Sequence, residues 1–71
     1  MNEWISTKDR LPPEKTYHSV YIVTRHSHHK NKSIVVPLHY INGAWYEMIH
    51  EEPLDAEYEV THWMPLPEPP T

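Results

Sequence analysis

Seven histidines dominate the side chains that could do chemistry, and three of them fall together as His26-x-His28-His29. Imidazole is a good ligand for zinc, nickel and copper. A structural metal centre needs three or four ligands in fixed geometry, with further groups to orient them. His26, His28 and His29 lie in a stretch without apolar residues, and their spacing does not put two of them on one helix face. The expectation is weak surface metal ligation by this trio rather than a resident ion. His18, His39, His50 and His62 are scattered.

Five carboxylates, Glu51, Glu52, Asp55, Glu57 and Glu59, form the second group. General acid–base catalysis needs a carboxyl whose pKa is moved by desolvation. No apolar run surrounds these five, so they read as a solvated acidic loop or as an acidic face that meets a partner. They are the candidate binding residues. Cysteine is absent, which removes thiolate nucleophiles, disulfides and zinc–thiolate sites. Ser6, Ser19, Ser27 and Ser33 stand in no nucleophile elbow. One glycine, Gly43, cannot build a phosphate-cradling loop. Neither an enzyme nor a cofactor is expected.

Charge is unevenly placed. All six Lys and Arg lie in residues 1–32, where three acids leave +3, while seven acids and no Lys or Arg leave −7 in residues 33–71. The halves can attract one another across a small fold, though exposed pairs contribute little. A net charge of −4 disfavours nucleic acid, because phosphate electrostatics dominate such binding.

Seventy-one residues make a single domain, 1–71, with a small core. Phenylalanine is absent, so Trp4, Trp45, Trp63 and five tyrosines supply the large apolar area. A chain this short usually needs a staple, and with no disulfide a homo-oligomer is the expected one. No apolar run approaches the ~20 residues of a membrane helix, and no signal peptide is visible, so a reducing cytoplasm is the expected compartment.

The elements that must position these groups are strands. Residues 17–25 are rich in β-branched and aromatic side chains and apolar on both faces, as in a central strand. Residues 26–33 read as a mobile polar hairpin loop. Residues 34–41 make a second strand, with Pro37 marking an edge, a bulge or an outward-facing amide position. Asn42-Gly43 is a strong hairpin signal before a third strand at 44–49. A bulged three-residue turn, pairing Tyr40 with Ala44, is preferred over a two-residue turn pairing Ile41 with Ala44, because it keeps Ile34, Val36, Leu38 and Tyr40 facing Ala44, Tyr46 and Met48. Short helical turns near Lys8–Leu11 and from Pro53 are conceivable. Val60–Met64 alternates as a fourth strand, and residues 65–71 follow as an extended proline-rich tail. Trp63 and Leu66 should fold onto the core, with Trp4 as a partner. The fold class is mostly β, a small antiparallel sheet of about four strands with little or no helix.

Two terminal motifs carry a family likeness. Trp4-Ile5-Ser6 with Lys8-Asp9-Arg10-Leu11-Pro12 opens the chain, and Val60-Thr61-His62-Trp63-Met64-Pro65-Leu66-Pro67-Glu68-Pro69-Pro70 ends it. With the Val20–Ile22 strand and Asn42-Gly43-Ala44-Trp45-Tyr46, they resemble the domain of unknown function family 551, small proteins of tailed phages and prophages. The resemblance implies a cytoplasmic phage or prophage accessory protein and no particular activity, with Trp4, Leu11, Trp63 and Pro65 as scaffold. The expected function is non-enzymatic binding of a host or phage protein, for instance a host defence or metabolic factor. A small-ligand binder that sequesters a nucleotide or metal is the other class.

Overall fold

The computed structural model describes residues 3–13, 19–67 and 70. Five strands form one antiparallel sheet: β1 (Ile5–Ser6), β2 (Val20–Ser27), β3 (Lys32–Ile41), β4 (Ala44–Tyr46) and β5 (Tyr58–Pro65). Their order is β1-β5-β2-β3-β4, so β2 is central and the last strand lies between the first two. There is no helix among the described residues. The strand beyond the expected four is β1, whose two residues pair with Trp63 and His62. A pair so short has no periodicity to read. After it, the Ser6 carbonyl accepts from the amides of Asp9 and Arg10, a single turn.

The core lies on one face of the sheet. Tyr21 and Val23 of β2 share it with Leu38 and Tyr40 of β3 and with Val60 and Trp63 of β5. Ile5, Val36, Trp45 and Leu54 pack against this cluster. The β2–β5 register shifts between Thr24, opposite His62, and Arg25, opposite Val60. Thr61 is thus the extra residue of a β-bulge, which re-aims a strand at little cost to the ladder. The bulge lets Trp63 and Val60 both face inward, although strict alternation would put positions three apart on opposite faces.

Trp63 is 4% exposed, and its indole Nε1 donates to the Arg10 carbonyl at 3.0 Å. The rings of Tyr21 and Trp63 meet edge to face, with centroids 5.2 Å apart. Leu66 at 48% and Trp4 at 41% exposure do not join them. Leu11 is exposed too, and its neighbour Pro12 is buried in its place. The tail runs on from β5, whose Pro65 pairs with Tyr21. Glu68, Pro69 and Thr71 lie outside the described residues, as do Tyr17 and His18 of the expected first strand.

Several boundaries differ from expectation, among them β5, which runs Tyr58–Pro65 where Val60–Met64 was expected. The polar connector shrinks to residues 28–31, because His26 and Ser27 continue β2 and Lys32 and Ser33 begin β3. His26 has backbone neighbours on both sides, Ser33 and Glu59, and its Nδ1 lies 2.9 Å from Ser33 Oγ. The ladder is continued by backbone pairing, which hydropathy does not report. The β3–β4 turn is the two-residue form, with Ile41 opposite Ala44 and Tyr40 opposite Trp45. Asn42 (φ 50°) and Gly43 (φ 83°) both adopt left-handed backbone, the requirement of a type I′ turn. This register packs Trp45 against Tyr40, with ring centroids 4.6 Å apart and planes tilted by 60°, a larger apolar contact than Ala44 against Tyr40. β4 then stops at Tyr46, because the Glu47 amide donates to the Glu52 carbonyl and turns the chain back. Pro53 bridges to Tyr46 rather than starting a helical turn.

Candidate functional site

The residues singled out by chemistry are only partly brought together. His26 and His28 meet edge to face, 5.2 Å between centroids, at the end of the β2–β3 hairpin. His28 Nε2 lies 3.1 Å from Glu59 Oε1, both side chains about half exposed, and His29 is exposed on the turn. No group of three or more His, Asp or Glu among the described residues is placed to hold a metal ion.

The acidic run is spread out. Glu51 and Glu52 sit in the turn beside β4, where Glu51 adopts φ 53°. Asp55 opens the turn that leads to β5, its carbonyl accepting from the Tyr58 amide. Glu57 accepts from Ser27 Oγ at 3.3 Å, and Glu59 lies on β5 against the His26–His28 pair. Two whole strands, β3 and β2, separate the first two carboxylates from the last.

The surface that the fold does assemble is the outer edge of β3. β4 pairs only with His39–Ile41, so Lys32–Leu38 has a strand on one side alone among the described residues. The Tyr40 amide donates to the Ser19 carbonyl, toward β2. Backbone groups alternate along a strand. Even-numbered residues from Lys32 therefore turn their amides to β2, and Ser33, Val35 and Pro37 turn theirs outward. Pro37 costs the ladder nothing, since its missing N–H would have pointed away from β2.

Beside this edge runs an apolar trough of about 440 Å³, floored by Val36, Pro37 and Leu38 and walled by Met48 and Ile49, with Glu47, His50 and Arg25 at its margins. Ile49 is 86% exposed and Val35 61%. Sequence reading flagged Pro37 as an edge marker but missed the trough, which exists only because the chain doubles back after Tyr46. The available signal was the apolar pair Met48-Ile49 standing between the polar residues Glu47 and His50. No helix among the described residues is long and apolar enough to cross a membrane.

A family model described as Protein of unknown function (DUF551) matches residues 3–71. No curated protein and no solved structure matches the chain.

Proposed function

We propose, for a chain that belongs to the DUF551 family over nearly its whole length, a non-enzymatic protein-binding role in which an extended segment of a partner adds to the outer edge of β3. The observation that supports this is the free β3 edge at Ser33–Pro37 beside an apolar trough. Strand addition draws affinity from main-chain hydrogen bonds and specificity from pockets for alternate side chains. The edge offers the amides of Ser33 and Val35 and the carbonyls of Ser33, Val35 and Pro37. The trough takes apolar side chains on the core side. A second copy of this chain is a poorer occupant. Two-fold pairing about Val35 would set Pro37 opposite Ser33 in both halves and lose a hydrogen bond twice. The likeness to phage and prophage proteins points to a host protein in the bacterial cytoplasm, with inhibition of a defence or metabolic factor as the outcome.

The test is amide hydrogen exchange at Ser33 and Val35 with a co-purified host protein, in the wild type and in Val35→Glu. Strand addition predicts fast exchange at both amides in the free protein, slow exchange in the complex, and loss of the complex in the variant at unchanged melting temperature. A complex that leaves both amides fast, or that Val35→Glu does not weaken, overturns it.

A further inference from the structure

Three basic residues of the first half of the chain converge on one cavity. About 190 Å³ in size, it is lined by Arg25, Ser27, Lys30, Lys32, Ile34 and Tyr58, around the end of the β2–β3 hairpin. Among the described residues three cations, Arg25, Lys30 and Lys32, line it and no carboxylate does, in a chain whose net charge is −4. Among the described residues none of the three cations has an ion-pair partner. The nearby acids face other groups: Glu57 takes the Ser27 hydroxyl, and Glu59 takes His28. Gathering three positive charges without a counter-charge is unfavourable in the free protein, and a bound anion would relieve it.

Arg25 is the organised member. Its guanidinium carbon lies 4.0 Å from the centroid of the Tyr58 ring, which holds the planar fork in place. Its Nε is buried and has no acceptor among the described residues. Ordering the fork before a ligand arrives lowers the entropic cost of binding. Lys30 and Lys32 are exposed and supply two further point charges. Arg25 also lines the apolar trough, whose volume falls within the ~300–1,000 Å³ usual for small-molecule sites.

We propose that Arg25, Lys30 and Lys32 form a binding site for a phosphomonoester whose apolar or aromatic body lies in the trough of Val36, Leu38 and Met48. A phosphate dianion suits three cations better than a singly charged carboxylate does, and its oxygens match the guanidinium fork. The site shares its trough with the proposed strand addition but does not depend on it, because its phosphate contacts come from side chains and not from the β3 backbone and are measured with no partner present.

The test is a titration of the full chain, followed by NMR shifts and calorimetry, with phenyl phosphate, AMP, inorganic phosphate, phenol and adenosine at low salt. Phenyl phosphate or AMP should bind about tenfold more tightly than inorganic phosphate, and phenol and adenosine should not bind measurably. Shifts should centre on Arg25, Lys32, Val36 and Tyr58, and affinity should fall as salt rises. The double variant Lys30→Gln/Lys32→Gln changes two exposed side chains, so it should keep its melting temperature and bind about tenfold more weakly. Arg25→Lys, which keeps the charge and loses the fork, should also weaken binding. The assignment is overturned if phenyl phosphate and AMP bind no better than phenol and adenosine, or if the double variant binds as the wild type does. Equal affinity for inorganic phosphate and phenyl phosphate removes the trough from the site.

Discussion

Arg25 and Tyr58, one on the central strand and one at the start of the last, stack with 4.0 Å between the guanidinium carbon and the ring centroid. The contact closes the hairpin end of the sheet, where apolar packing gives way to charge. Tyr58→Phe keeps the ring face and should change stability by only a few tenths of a kcal/mol. Tyr58→Leu removes it and should cost ~0.5–1 kcal/mol beyond the change in burial. Urea denaturation of the two variants separates these outcomes, and equal stability would show that the stack contributes nothing.

Trp63 anchors the core from β5. Trp63→Ala should cost ~3–5 kcal/mol, most of the stability available to a domain of this size. Trp63→Phe keeps much of the volume but leaves the Arg10 carbonyl without its indole donor, so a further ~1 kcal/mol is expected beyond the lost area. Thermal melts of both variants check the order. A folded Trp63→Ala with an unchanged melting point would contradict its burial.

Gly43 holds φ 83° in the turn between β3 and β4. A Cβ there meets the following carbonyl, so Gly43→Ala should destabilise by ~1–2 kcal/mol. Asn42→Gly, at φ 50°, should change stability by much less. The register that makes Tyr40 and Trp45 neighbours predicts cross-strand NOEs between them and between Ile41 and Ala44. Contacts of Tyr40 with Ala44 as its direct partner would restore the bulged alternative.

Backbone alternation on β3 predicts a two-residue beat in exchange rates. The amides of Ile34, Val36 and Leu38 face β2 and should exchange slowly, while those of Ser33 and Val35 should exchange at rates near those of open chain. This measurement needs no partner. Slow exchange at Val35 in the free protein would mean that the edge is already covered.

The parts that sequence exposed were those that local pattern dictates. Residues 17–25 announce a central strand by being apolar on both faces, which β2 (Val20–Ser27) is, and Asn42-Gly43 announces the hairpin by its backbone demands. The hairpin register is not legible locally, because alternation fits both forms, and the structure has the two-residue one. It was decided by a non-local fact, that Trp45 has Tyr40 and Tyr21 to pack against. Leu66 and Trp4 look like core by type alone, yet each lies just beyond the end of a strand, and the paired strands bury the core. The acidic run looked like one face because five carboxylates are close in sequence. The chain spends those residues travelling from the β4 margin to β5, and so separates them. The basic cavity was foreshadowed by the bias of Lys and Arg toward the first half, but Tyr58 joins it from a strand far along the chain, which no local window reaches.

The insertion of β5 between β1 and β2 bears on how the chain is made. β1 has β5 as its strand partner, and β2 gains its second neighbour from β5 alone. Until β5 has been synthesised, only β2, β3 and β4 can pair, with the apolar side chains of Tyr21 and Val23 left uncovered by Trp63 and Val60. Such a three-stranded nascent ribbon has an open edge on β2 and an uncovered face, the condition that favours aggregation and proteolysis. The native sheet therefore cannot close until β5 has been made, and a product truncated before Tyr58 should be degraded instead of accumulating.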